Sequence, residues 1–233
     1  LNEDMVSFAE TPRRLEVNHP ADDKASLNKF GGRYYLTYGG HYAISDNIYG
    51  PYEYKGHTGA SEDHTSYFEW NGQIFNAITV FDHYGLYRSA GMCYVHIRDN
   101  GDLVTDPLIV EYGVGQYDSN WNRIEAEWFM RGVNVKKAEI HNYPGFFVSC
   151  TQEAVLVYPK VRNLSNKTGL SLKASCSGTG GEIELREGNE NGRVLGSVRL
   201  EKACHIPLTE TLPDVTDICL VLKPDPGEEM LVD

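Results

Sequence analysis

Two glutamates two residues apart, Glu125 and Glu127, offer the plainest chemistry in the sequence. Successive side chains of a β-strand alternate between faces, so on a strand this pair projects from one face. Carboxylate oxygens so placed are hard ligands of the kind calcium takes; the alternative is a solvent-facing acidic strand. A second acidic pair, Asp22 and Asp23 in Ala21-Asp22-Asp23-Lys24-Ala25-Ser26, reads locally as a polar turn. His64 reads locally as a strand histidine satisfied by backbone hydrogen bonds. Arg88 is either a surface arginine paired with one of the many acidic residues or a guanidinium that donates several hydrogen bonds to hydroxyls. Among the five cysteines (Cys93, Cys150, Cys176, Cys204, Cys219) there is no C-x-x-C pair, which speaks against a zinc site or a thioredoxin-like motif. Either one disulfide joins two of the last four, or the thiols are buried as small hydrophobes.

The elements that must position these groups are short strands. Phe30-Gly31-Gly32-Arg33-Tyr34-Tyr35-Leu36 is answered 40 residues later by Trp70-Asn71-Gly72-Gln73-Ile74-Phe75-Asn76. Each copy has an aromatic, a turn glycine two residues on, and an alternating strand, and the offset is that of one propeller blade of about 40 to 50 residues. Further strands follow each copy: His41-Tyr42-Ala43-Ile44-Ser45 after the first, Met92-Cys93-Tyr94-Val95-His96-Ile97 after the second. The polar, turn-rich stretch 113–120 places a linker. Beyond it, short alternating strands at 169–174, 182–186 and 193–200, separated by glycine turns, predict a β-sandwich of about 110 residues. The expected organisation is all-β: part of a propeller over 1–115, a linker over 116–123, and the sandwich over 124–233.

Composition bounds the partners. Hydrophobic residues are 41% of the 233, and no apolar run approaches the ~18 residues of a membrane span. A formal net charge of −12 without any Lys/Arg cluster excludes nucleic acid, whose phosphates are bound by such clusters. Neutral polysaccharide is compatible with an acidic surface, because sugars are held by aromatic faces and hydrogen bonds. Residues 1–5 show neither a basic start nor an apolar signal core and read as the outer strand of something begun earlier. Asn163-Leu164-Ser165 and Asn166-Lys167-Thr168 fit the glycosylation pattern.

With these residues in view, the front half resembles the last blades of glycoside hydrolase family 43, a five-bladed propeller. The resemblance is carried by Gly32-Arg33-Tyr34-Tyr35-Leu36-Thr37-Tyr38, Ser45-Asp46, Tyr49-Gly50-Pro51-Tyr52, Asp63-His64-Thr65-Ser66-Tyr67-Phe68-Glu69-Trp70-Asn71-Gly72, Tyr87-Arg88-Ser89 and the Asp99-Asn100-Gly101 turn. The back half is similar to a family 6 carbohydrate-binding module, through Ile124-Glu125-Ala126-Glu127 and Gly178-Thr179-Gly180-Gly181-Glu182-Ile183. The resemblance implies an inverting, secreted or periplasmic glycosidase for arabinose- or xylose-containing polysaccharide. Such chemistry needs a carboxylic acid and a carboxylate base about 6.5 to 9.5 Å apart.

It implies, further, that Asp23, beside Asp22, stands where the family has its glutamate general acid. An aspartate is one methylene shorter, and a displacement of that size costs about a hundredfold in rate. The other two catalytic carboxylates of the family lie on blades that precede this sequence. By the same resemblance His64 lines the propeller axis beside an ion or water, Arg88 points into the sugar subsite, and Tyr158 is one wall of a sugar clamp. The clamp's tryptophan is absent, the corresponding region reading Lys202-Ala203-Cys204-His205. Asp233 would join Glu125 and Glu127 on a structural calcium. A carbohydrate binder without catalysis is the alternative function. Two blades cannot close a ring, so a second copy or upstream blades would complete it.

Overall fold

The computed structural model describes residues 1–19, 24–59, 63–81, 85–106, 112–139, 145–178, 180–200 and 204–233. The fold is all-β: two propeller-type blades followed by a β-sandwich. Packing divides it into two compact units, Leu1–Tyr67 with Ala77–Gly91, and Phe68–Asn76 with Met92–Asp233. That division falls elsewhere than the boundary expected at 116–123, because the second blade contributes residues to both units.

The first blade is an antiparallel meander of β1 (Ala25–Phe30), β2 (Arg33–Tyr38), β3 (His41–Ser45) and β4 (Glu53–His57). The second repeats it with β5 (Thr65–Trp70), β6 (Gln73–Phe81), β7 (Arg88–Ile97) and β8 (Leu103–Thr105). The 40-residue repeat is therefore a blade repeat, and its two hairpin turns are built alike. Gly31 and Gly32 have φ of 55° and 87°, Asn71 and Gly72 of 52° and 79°. Two consecutive positive φ angles make the turn whose twist matches that of the strands, and Gly and Asn adopt it at least cost. Leu36, Tyr38, Ala43 and Tyr52 form the core of the first blade, with Leu15 and Val17 packed against it. Residues 1–5, expected as an outer strand, instead make a turn in which the Met5 N–H donates to the Asn2 carbonyl at 3.0 Å.

In the second unit the sandwich has a five-stranded sheet ordered β16-β15-β18-β12-β9. Its strands are β9 (Arg131–Val133), β12 (Ala154–Val161), β15 (Gly181–Glu187), β16 (Val194–Arg199) and β18 (Thr216–Pro224). A four-stranded sheet, β10 (Lys136–Ala138), β11 (Phe147–Cys150), β19 (Met230–Val232) and β14 (Ala174–Cys176), and a pair formed by β13 (Gly169–Leu172) and β17 (Cys204–Pro207) complete it. The alternation read at 182–186 is the pleat of β15: Ile183 and Leu185 are buried while Glu182 and Glu184 face outward. Each such aliphatic side chain contributes about 1.5–3 kcal/mol of burial free energy.

The stretch expected as a linker is packed into this unit. Tyr117 is 1% exposed, and its hydroxyl donates to the Trp128 carbonyl at 2.5 Å. An aromatic able to reach a buried acceptor outweighs the turn-forming residues around it. The tip of the second hairpin is pinned in the same unit: the Gly132 N–H donates to the Asn71 carbonyl at 2.8 Å, and a Cβ on Gly72 would meet the Gly132 oxygen at 2.5 Å. All five cysteines are free thiols. Cys150 and Cys176 both pair with Met230, from opposite sides of β19. That puts them two strand spacings apart, about 9.5 Å, beyond disulfide reach. Burial pushes Cys93, Cys150, Cys204 and Cys219 up to about 11, so these thiols are inert.

Candidate functional site

In the first unit, Asp63 gathers the donors. It precedes β5, where the Thr65 hydroxyl donates to the Gly39 carbonyl at 2.8 Å and the Thr79 N–H donates to the His64 carbonyl at 3.0 Å. Lys24 just before β1, Arg88 at the start of β7 and the neighbouring His64 converge on its carboxylate at 3.2, 3.1 and 3.0 Å. Asp63 is buried, whereas the side chains of His64 and Arg88 are 64% and 61% exposed. Burial alone would raise the Asp63 pKa, but Lys24, Arg88 and His64 outweigh it and hold the carboxyl below its ordinary value. A carboxylate only accepts, so Nδ1 of His64 carries a hydrogen toward Asp63. Phe81 lies under the Arg88 guanidinium, 5.4 Å from ring centroid to Cζ.

His64 and Arg88, named from sequence, are thus brought together, by an aspartate and a lysine that sequence reasoning did not single out. The signal for Asp63 was its place beside His64; nothing local marked Lys24. Asp22 and Asp23 lie outside the described residues. The ion implied beside His64 has no gathered donor set among the described residues, where three His, Cys, Asp or Glu ligand atoms come within 4.8 Å of one another only at His96, Asp106 and Glu127.

In the second unit the expected strand at Glu125 and Glu127 is a 3-10 turn, η1 (Ala126–Trp128), with Glu125 at its N-cap. A 3-10 turn does not alternate faces, so the two carboxylates part. Glu125 takes the Arg123 guanidinium at 2.6 Å, and Arg123 also lies 3.6 Å from Asp233, which Lys173 holds at 3.2 Å. Glu127 joins His96 and Asp106 instead. The residues present therefore do not fit the calcium implied by the resemblance: a guanidinium stands between two of the three ligands, and the third is turned away. Calcium added to chelator-treated protein is expected to leave Tm unchanged. Arg123→Ala is expected to cost about 1–3 kcal/mol, since it leaves two buried carboxylates facing each other, and to make Tm rise with calcium. Thermal unfolding with and without millimolar calcium checks both.

Tyr158, expected as one wall of a sugar clamp, is buried. It is 5% exposed, donates its hydroxyl to the Ala126 carbonyl at 2.6 Å, and meets the Tyr117 ring edge-on at 5.4 Å. It borders a cavity of about 470 Å³ whose walls are largely aliphatic, among them Leu164, Leu170, Leu185, Leu212 and Leu220. Its ring is used in packing. Of the two sequons, Asn163 has its amide held by both oxygens of Asp118, at 2.7 and 2.8 Å.

A buried polar cluster surrounds Glu127, and no motif marks its partners. His96 Nε2 lies 3.2 Å from Asp106 Oδ2, which also accepts the Trp128 indole N–H at 2.7 Å. Lys137 donates to the Gln73 amide oxygen and, at 3.1 Å, to the Val95 carbonyl; Gln73 in turn donates to the Glu127 and Phe129 carbonyls. Burial pushes Glu127 up to about 8, and pulls Lys137 down to about 7 and His96 down to about 4. His96 was legible only as a residue of the strand read at 92–97.

No family model and no curated protein matches the sequence. Among solved structures, the chain is similar to a glycoside hydrolase family 43 arabinoxylan arabinofuranohydrolase from Bacillus subtilis, in complex with cellotetraose. The match covers 91% of this chain and 53% of that one, at 17% identity and a TM-score of 0.47. It is similar also to a family 6 carbohydrate-binding module from Clostridium cellulolyticum, in complex with xylose, over 48% of this chain and 93% of that one (20% identity, TM-score 0.43). A β-1,3-glucan-binding family 6 module from Bacillus halodurans matches over 50% and 95% (18% identity, TM-score 0.42). The chain spans about half the length of the arabinofuranohydrolase. Both kinds of structure named by the sequence resemblance are thus among its structural neighbours.

Proposed function

We propose that this chain is part of a secreted glycoside hydrolase that acts on arabinose- or xylose-containing polysaccharide by an inverting mechanism, with a sandwich of carbohydrate-binding type attached. The observation that carries the reading is the Asp63 constellation. An exposed guanidinium and an exposed imidazole are fixed side by side on a buried carboxylate, with an aromatic ring beneath the guanidinium. Donors held in one geometry before a ligand arrives lose little freedom on binding, which suits a neutral polyhydroxyl ligand. Asp23 is the proposed general acid, and a second copy or further blades supply the remaining carboxylates.

The test is hydrolysis of nitrophenyl arabinofuranoside and xyloside by the 233-residue chain and by its Asp23→Asn variant, alongside calorimetric titration with arabinoxylan oligosaccharides. Turnover that Asp23→Asn abolishes supports the enzyme reading with this acid. Oligosaccharide binding without turnover supports the alternative, a carbohydrate binder. Neither binding nor turnover overturns both.

A further inference from the structure

Buried polar atoms nearly always have a partner, because leaving one without costs the full desolvation of the group. In the second unit Glu127 carries such an atom beside His96. Oε2 of Glu127 is buried without a hydrogen-bond partner, in a residue that is 4% exposed, and His96 is 1% exposed. The third member, Asp106, is 5% exposed. One ligand atom from each of the three comes within 4.8 Å of the others.

The three arrive from separate elements. His96 is on β7, Asp106 follows β8, and Glu127 is in η1. We propose that His96, Asp106 and Glu127 form a buried site for one divalent transition-metal ion of the zinc type. Donors around a tetrahedral zinc, bound at about 2.0–2.1 Å, lie roughly 3.4 Å apart. The 3.2 Å between His96 Nε2 and Asp106 Oδ2 already meets that, so Nε2 is the ligand nitrogen and the imidazole hydrogen stands on Nδ1 when the ion is bound. Closing the rest from the 4.8 Å bound asks for a shift of at most about 1.4 Å, within the torsional reach of the long Glu127 side chain. An imidazole nitrogen with two carboxylates suits zinc and its neighbours and not calcium, which takes oxygen ligands throughout.

The surroundings are those of a ligand shell. The Trp128 N–H fixes the Asp106 carboxylate at 2.7 Å, and the Phe146 ring stacks on His96 with centroids 4.2 Å apart. Partners of this kind orient metal ligands. Lys137, the cation beside the cluster, directs its ammonium to Gln73 and the Val95 carbonyl. Three protein ligands leave one position on the ion for water.

The experiment uses the whole chain without an affinity tag, stripped with a strong chelator and then titrated with zinc chloride by calorimetry. Bound metal is counted by mass spectrometry, and cobalt serves as a spectroscopic probe. One equivalent of zinc is expected, with a Tm rise of roughly 5 °C or more at a hundredfold excess over Kd. His96→Gln and Glu127→Gln are each expected to weaken binding at least 100-fold. The competing site is the histidine group of the first unit, where His41 lies 5.6 Å from His19 and 5.1 Å from His57 by ring centroids. Zinc binding that survives His41→Ala supports the proposal, and binding lost with His41 overturns it. So does zinc retained undiminished in both buried-site variants, or the absence of an equivalent in the unaltered chain. Should the buried-site variants fail to fold, cobalt in the His41→Ala protein decides: the intense visible bands of a four-coordinate ion support the site, and the weak bands of a six-coordinate surface ion overturn it.

Discussion

Trp128→Ala is expected to destabilise the second unit by about 5 kcal/mol, and Trp128→Phe by about 2 kcal/mol. Trp128 is 2% exposed and stacks on Tyr94 with rings 15° from parallel and centroids 6.4 Å apart. Truncation to alanine opens a cavity where a large aromatic stood, which alone costs about 3–5 kcal/mol. Asp106 also loses the indole N–H, the 2.7 Å bond that offsets the desolvation of its carboxylate. Phenylalanine keeps most of the buried area and loses only that bond, so the difference between the variants separates packing from hydrogen bonding. Urea unfolding followed by fluorescence of the remaining tryptophans reads both. A Phe variant as unstable as the Ala variant would place nearly all of Trp128's contribution in the N–H. Two variants indistinguishable from the parent would mean that this core is not formed as described.

The same residue shows why the chain was only partly legible. The blade repeat could be read because its signals are local: a turn that needs two positive φ angles selects Gly or Asn, and the following strand alternates. Strand β15 was legible for the same reason. The 116–123 segment was misread because its polar residues are local and the partners of Tyr117 are not: Tyr94 and Trp128 lie 23 and 11 residues away. Glu125 and Glu127 were given a strand's alternation, yet Arg123 captures the first, and η1 carries the second to His96 and Asp106. That cluster assembles across 31 residues of sequence, from β7, the residue after β8, and η1, and of its three members only Glu127 lies in a motif. The sequence marks His96 as part of a strand, but Cys93 to His96 are all buried, so no alternation singles it out or shows what it meets.

Asp63→Ala is expected to lower the affinity of the chain for arabinoxylan oligosaccharides by roughly 10- to 100-fold, although on the proposed reading Asp63 itself touches no sugar. It acts as a positioning residue. Its carboxylate holds Lys24, His64 and Arg88 within 3.2 Å, so its loss frees three side chains at once and leaves the Lys24 and Arg88 charges to repel. Arg88→Ala removes a donor that would meet the ligand and should cost at least as much. The double variant should be little worse than Arg88→Ala, because Asp63 acts largely through that guanidinium; additive losses would give the two residues independent roles. Asp63→Asn keeps an acceptor for one donor while removing the charge, and should fall between parent and Asp63→Ala. A merely structural Asp63 predicts a different pattern, with Tm lowered in Asp63→Ala and Asp63→Asn and affinity unchanged in the protein that stays folded. Titration calorimetry beside thermal unfolding distinguishes the two, because positioning moves Kd where structure moves Tm.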